Sequence, residues 1–336
     1  MWLMNERGCG KKEWIYLETL NSENKVRVNT VFGPTDEVSI DRVIKQGAVL
    51  SPIQYAILID EIARKLMEDN MGVILNDINL PCLLWVDDVM VPGENYDDIQ
   101  AMVDKVYDIA RKFKVEFGMD KTGHMILGDD PQPERYLLLG GKEIKKVDEY
   151  KYLGVIMDKH GGLSKHIAYI RKKVYAAVDC IMNVTSAETL SKIEVEAIRE
   201  MTGNTINAIL AYGLEAFVID DESMESIKEI QCKAIKEIFD LHSYVPNEIM
   251  LVDLGIYDIE WEIKKRKLGF YKRIIQNNEG DPNRKKHSLE DAYNNNVLWS
   301  NDIKNIMDEL DVNNKLIRES KHTLNNHIKK NHRNYD

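Results

Sequence analysis

Apolar residues recur along this chain in two different periods, and the change from one to the other divides it. Residues 26–31, where Arg27 and Asn29 alternate against valines, predict a short strand ended by Gly33 and Pro34, with a second strand near residues 37–44. Ser51 then places a capping hydroxyl before Pro52 at the first helical position, and Ile53, Ala56, Ile57, Ala63, Leu66 and Met67 follow at helical spacing. The apolar run 80–86, broken by Pro81 and resumed by Val89, Met90 and Val91 before Pro92 and Gly93, predicts a hairpin with Asp87 and Asp88 at its tip. Asp97 and Asp98 cap the next helix, whose Ile99, Met102, Val103, Val106, Ile109, Ala110 and Phe113 fall on one face. Residues 136–139 and 147–157 are strand-like and are joined by Gly140, Gly141 and a polar, lysine-rich link. The expected layer is two helices against an antiparallel sheet.

From about Gly161 the period becomes helical almost throughout. Leu163, Ile167, Ile170, Val174, Ala177 and Ile181 mark one helix, and further helices fit residues 190–211 and 222–241. After about Asn277 the sequence turns Asn- and Lys-rich and loses its period, which predicts a loosely ordered tail. The fold class is α+β, with the sheet layer first.

Composition narrows this little. A chain of 336 residues with 44% apolar residues and only 8 prolines has core enough for roughly two domains of ~150 residues. Cys9, Cys82, Cys180 and Cys232 stand singly, with no spacing that suggests a disulfide framework or structural zinc. Residues 1–18 carry too many charges for a signal peptide, and no apolar run approaches the ~18 residues of a membrane helix, so an intracellular protein without a membrane partner is expected. His160, His166, His322, His327 and His332 read as polar surface residues rather than metal ligands.

Charge changes the picture more. The net charge of -11 would argue against a nucleic-acid partner if it were evenly spread. It is sorted instead: residues 159–178 hold Lys159, Lys165, Arg171, Lys172 and Lys173 and no acid, while residues 214–262 hold thirteen acids against three lysines. The tail returns to basic with Lys264, Lys265, Arg266 and Lys267 and then Arg284, Lys285 and Lys286. Only some regions suit a phosphate partner.

Two adjacent carboxylates on a hairpin tip can face a hard divalent cation, although Asp is also an ordinary turn residue. The surrounding motifs decide between these readings. Gln46-Gly47-Ala48-Val49-Leu50-Ser51-Pro52 lies before Trp85-Val86-Asp87-Asp88; Lys121-Thr122 follows, then Tyr150-Lys151-Tyr152-Leu153-Gly154-Val155. In that order the chain resembles the reverse transcriptases of non-LTR (LINE-type) retrotransposons, whose palm reads QGxxLSP, an aromatic-x-Asp-Asp box, a helix ending near a KT pair, and YKYLGV. The likeness covers residues 26–177 and extends more weakly to about residue 276, through Ala211-Tyr212-Gly213-Leu214-Glu215 and residues 224–239.

The resemblance implies an RNA-directed DNA polymerase with an RNA template, a DNA primer and deoxynucleoside triphosphates as partners. Residues 1–158 would be a partial fingers and palm, 159–245 a helical thumb, and 246–336 a helical post-thumb region with a loosely ordered basic tail. Asp87 and Asp88 would bind the two Mg²⁺ ions, and Lys121 would sit near the leaving pyrophosphate as a cation or proton donor. Gln46, Gly47, Pro52 and Trp85 would face nucleotide and template, with Gly47 letting the backbone come close. Tyr152, Leu153 and Gly154 would grip the primer, and Lys165, Arg171, Lys172 and Lys173 would track backbone phosphates.

The family's first aspartate motif, xxDxxxAFD, occurs nowhere in this sequence, which implies an N-terminally truncated protein, inactive by itself. Trp85 stands where the family has Phe or Tyr, Val86 where Ala is usual, and Gly118 where many relatives have Asn. The alternatives are a non-catalytic nucleic-acid-binding relic and a helical interaction module whose acidic segment meets a protein partner.

Overall fold

The computed structural model describes residues 2–21, 25–39, 49–75, 78–184, 195–278, 298–319 and 321–332. They fall into two units, Met1–His124 with Gln132–Lys146 and Met125–Pro131 with Val147–Asp336, each with its own apolar core. The fold is α+β as the periodicity implied. The change of period near Gly161 nearly coincides with the division, except that residues 147–158 belong with the helices.

In the first unit the helices Trp2–Glu6 and Lys11–Asn21 precede an antiparallel ribbon. Lys25–Val26 pairs with Val38–Ser39 and Asn29–Thr30 pairs with Gly33–Pro34. Gly33 and Pro34 therefore do not end the strand but begin its return, and Val31 and Phe32 make the turn. Proline is tolerated there because an edge strand needs no ladder donor at that position. The rest of the predicted second strand, residues 40–44, lies outside the described residues.

The helix Ser51–Glu68 starts one residue earlier than expected: Leu50 is its N-cap, without a side-chain cap, and Ser51 is already helical. Its buried face is also rotated. Ile59, Ile62 and Leu66 enter the core with Tyr55 and Leu58 beside them, while Ile53 and Met67 are exposed. Buried Glu61 is reconciled with this face by Arg64, whose Nε and Nη2 donate to its carboxylate at 2.8 and 2.5 Å and hold its pKa below the usual range. The partner is the helix Tyr96–Lys112, which buries Met102, Val106, Ile109 and Ala110. Asn95, not Asp97 or Asp98, caps it: the Asn95 side-chain oxygen accepts from both of their backbone N–H groups at 3.0 Å.

The expected single antiparallel sheet resolves into small pieces. Val73–Leu75 pairs with Ile78–Leu80 and Leu83–Trp85 with Asp88–Met90, each as a separate ribbon. The lysine-rich link is itself a strand, Lys142–Lys146, antiparallel to Leu137–Leu139 and parallel to Gly123–His124. Only Ile144 of that strand points inward, so its sequence reads as polar. Gly140 and Gly141 make the two-residue turn with φ of 59° and 80°, and a Cβ on Gly140 would lie 2.3 Å from the Tyr107 ring.

The second unit opens with the hairpin Glu149–Tyr152 and Val155–Asp158, followed by the helices Ser164–Val184, Val195–Leu210, Asp221–Ile238, Asn247–Leu254 and Ile259–Asn278. The predicted face of Ser164–Val184 holds at Ile167, Ile170, Val174 and Ile181, buried against Ile206, Leu210, Ile227, Ile230 and Ile259, but Val178 is fully buried with them where Ala177 was expected and Ala177 is only partly buried. Of the tail, residues 279–297 lie outside the described residues, and the described part beyond them is helical. Leu298–Glu309, Asn314–Arg318 and Lys321–His332 are helices, and Ile303, Ile306, Met307, Leu310, Ile317, Leu324 and Ile328 close a core on Trp261, Leu268, Tyr271 and Ile275. The apolar residues keep helical spacing, but so many Asn and Lys separate them that average polarity hides it. The acidic segment is tied internally: Lys264 lies 2.7 Å from Glu260 and 2.6 Å from Glu309, and Lys228 also pairs with Glu260.

A buried amide fastens three of these helices. The Gln231 side chain donates to Asn207 Oδ1 at 2.6 Å and to the Tyr257 carbonyl at 2.9 Å, and accepts from the Ile259 N–H at 3.0 Å. Gln231→Leu keeps the volume but takes this partner from Asn207 Oδ1 and the Ile259 N–H, while the Tyr257 carbonyl keeps the Asn207 Nδ2 donor at 3.0 Å, so it is expected to destabilise the chain by about 3 kcal/mol. A urea-unfolding midpoint equal to wild type would show that the amide network contributes nothing.

Candidate functional site

The turn between Leu83–Trp85 and Asp88–Met90 consists of Val86 and Asp87, so Asp87 is at the tip while Asp88 is already in the strand, opposite Trp85. Leu84 faces the core, whereas Leu83, Trp85 and Asp88 are exposed on the other face and Asp87 is exposed at the tip. Tyr55, on the helix Ser51–Glu68, is the neighbour that sequence reading missed. Burial raises its phenol pKa, and the Asp87 carboxylate raises it further. Its spacing one turn after Ser51 was the available signal.

Val86 adopts φ of 54°, a left-handed conformation that a β-branched residue takes only under strain. Because Val86 is 67% exposed, little packing is lost on truncation. Val86→Gly is therefore expected to stabilise the chain by about 1 kcal/mol. A lower urea midpoint for this variant would mean that the turn relaxes to another conformation.

Lys121 lies in the same unit, exposed, in the loop between Tyr96–Lys112 and Gly123–His124, where its N–H donates to the Gly118 carbonyl at 3.0 Å. Pro52 is exposed in the first turn of Ser51–Glu68. Gln46 and Gly47 lie outside the described residues. No group of three or more His, Cys, Asp or Glu side chains that could hold a metal ion converges among the described residues.

The hairpin of the second unit turns at Leu153 and Gly154, both at positive φ, 48° and 85°. Tyr212, between two helices, holds this turn: its hydroxyl donates to the Leu153 carbonyl at 2.9 Å, and a Cβ on Gly154 would come within 3.0 Å of its ring. Gly213 is needed beside it, since a Cβ there would stand 2.5 Å from Val155 Cγ2. His166 is a buried anchor rather than a surface residue. Its Nδ1 accepts from the Ile156 N–H at 3.3 Å, and burial pushes its pKa below the ordinary value against the pull of the Tyr212 main chain. Tyr152 is half-buried in the strand.

The basic window looks different once folded. Acids from outside it neutralise two of its members: Lys159 lies 2.7 Å from Asp148, and Lys165 lies 2.7 Å from Asp158 and 3.3 Å from Glu149. Arg171, Lys172 and Lys173 remain exposed on the helix Ser164–Val184. Among the helices of 18 residues or more that are described, none is apolar enough to cross a membrane.

Residues 7–157 match the family model described as reverse transcriptase (RNA-dependent DNA polymerase). Over 164 residues the chain is 23% identical to the retrovirus-related Pol polyprotein from type-1 retrotransposable element R2 of Nasonia vitripennis. Over 123 residues it is 27% identical to that from type-2 retrotransposable element R2DM of Drosophila melanogaster. These matches take in 46% and 34% of this chain but 15% and 12% of the polyproteins. A putative uncharacterized transposon-derived protein of Caenorhabditis elegans is 24% identical over 220 residues, 61% of this chain and 75% of that one.

Proposed function

Because residues 7–157 carry a reverse transcriptase domain, the chain is a reverse-transcriptase-like protein of non-LTR retrotransposon origin, and from that premise we propose that its helical unit binds a primer–template duplex through backbone phosphates. The observation that carries this is the run Arg171, Lys172 and Lys173, exposed on a rigid helix whose opposite face is fully buried. Contacts of this kind go to phosphate and need no base reading. Tyr152, Leu153 and Gly154 would grip the primer end, with Tyr212 and His166 fixing the turn that presents them. The test is salt-titrated binding of an RNA–DNA hybrid duplex, with reversal of the three charges as the decisive variant.

In the first unit, Asp87 and Asp88 are hard oxygen donors of the type Mg²⁺ takes, and one or two carboxylates are a usual protein share when substrate phosphates complete the shell. They would hold Mg²⁺ together with a deoxynucleoside triphosphate, and the ion would stabilise charge on the phosphates. Lys121 would meet the leaving pyrophosphate, and Gln46, Gly47, Pro52 and Trp85 would border the nucleotide and template. The second reading, binding without turnover, is favoured by one observation: both carboxylates come from a single hairpin.

A further inference from the structure

We propose that Lys151, Tyr169 and Lys173 form a phosphate site that takes a phosphodiester of the bound nucleic-acid strand, built across the hairpin and the first long helix of the helical unit. The inference rests on the reading of that unit as a duplex-binding surface. Lys151 projects from the outward face of the strand Glu149–Tyr152, and its Nζ stands 5.1 Å from the centre of the Tyr169 ring. Lys173, one helical turn after Tyr169, brings its Nζ to 4.9 Å from the same centre. Two cations thus converge on one phenol from two different elements.

The surrounding charges leave that pair for an outside anion. Glu149, two residues from Lys151 on the same strand face, is engaged by Lys165 at 3.3 Å, and Asp158 is engaged by Lys165 at 2.7 Å. No carboxylate among the described residues lies within ion-pair distance of Lys151 or Lys173. Their effect on Tyr169 has one direction: a hydrogen bond from Lys151 holds its phenol pKa below the ordinary value against the opposing effect of burial, and Lys173 adds a lesser pull the same way. A phosphodiester that meets these two ammonium groups beside the ring neutralises their charge and releases their counterions.

The site is also rigid. The Tyr169 ring stacks on the His166 imidazole at 6.3 Å and 27°, and His166 in turn stacks on Phe217 at 6.5 Å and 27°. His166 accepts the Ile156 N–H through Nδ1, a role that leaves no proton on that nitrogen, and burial and then the Lys173 charge lower its pKa, so it fixes the ring without adding a third cation. The tyrosine hydroxyl is left to bridge the two ammonium groups and to donate to a phosphate oxygen.

The experiment uses the full chain and a fluorescein-labelled RNA–DNA hybrid, with affinity read by anisotropy across a salt series. Lys151→Gln with Lys173→Gln is expected to lower the log–log salt slope by about 0.9, the share of one phosphate, and Lys151→Arg with Lys173→Arg to restore it. Tyr169→Phe is expected to weaken binding about threefold with the slope unchanged, since it removes a hydroxyl and no charge. A wild-type slope in the double Gln variant, with its circular dichroism unchanged, would overturn the site while leaving the duplex reading intact. Absence of salt-dependent binding by the wild-type chain would overturn both. Binding of dATP alone that the double Gln variant loses would reassign the site to free nucleotide and overturn the phosphodiester assignment.

Discussion

Reversal of Arg171, Lys172 and Lys173 to glutamate is expected to abolish binding of the hybrid duplex while leaving helicity intact. Each cation that neutralises a phosphate contributes ~0.9 to the salt slope on a B-form duplex, so loss of three contacts removes about 2.7. Reversal goes further than removal, because three carboxylates then face the phosphates within a Debye length of ~10 Å at 0.1 M salt. The helix tolerates the change because all three side chains are exposed, while Ile170 and Val174 beside them carry the packing. Arg171 also helps keep the Glu229 carboxyl acidic, so its reversal places a like charge near that residue, a modest surface effect. Lys165 is left unchanged because Asp158 and Glu149 hold it, and reversing it would repel the hairpin from the helix. Unchanged affinity in a variant with wild-type circular dichroism would remove the duplex-binding assignment.

The folded charges explain why the sequence exposed some of this surface and not the rest. A window count over residues 159–178 finds no acid, yet the hairpin before it supplies Asp148, Glu149 and Asp158 to two of its lysines. Conversely, Lys151 and Tyr169 carry no motif of their own and acquire a role only when the strand lies against the helix. Helices with one strong apolar face, Tyr96–Lys112 and Ser164–Val184, were legible because their period survives any local context. Strand partners were not, since pairing is decided by tertiary contact: nothing local marks Lys142–Lys146 as parallel to Gly123–His124. The His166 burial was hidden for the same reason, as a lone histidine on a basic helix reads as solvated until its acceptor role toward Ile156 is seen. The four motifs located the aspartate hairpin and the Leu153-Gly154 turn, while Tyr212, which holds that turn from another element, and Tyr55, whose phenol responds to the Asp87 charge, have no spacing relation to them in the chain.

The 336-residue chain is expected not to extend a DNA primer on an RNA template above an Asp87→Asn control, in Mg²⁺ or in Mn²⁺. In two-ion phosphoryl transfer the attacking and leaving oxygens are held by ions ~4 Å apart, a spacing that carboxylates from more than one strand must fix. Asp87 and Asp88 belong to one turn and one strand of a single hairpin, and Asp88 lies opposite Trp85 on its exposed face. Among the described residues no third acidic group joins them. Glu6, Glu13 and Glu18 are exposed on the helices Trp2–Glu6 and Lys11–Asn21, not on a strand beside the hairpin. Tyr55 supplies a phenol whose pKa is raised by burial and then by the Asp87 charge, which brings no charge for a second ion. Duplex binding would survive in this chain even so, because it draws on the other unit, so binding without extension is the combination expected of the wild type. Extension that Asp87→Asn eliminates would refute this, and would show that a further residue or a second chain completes the ligand set.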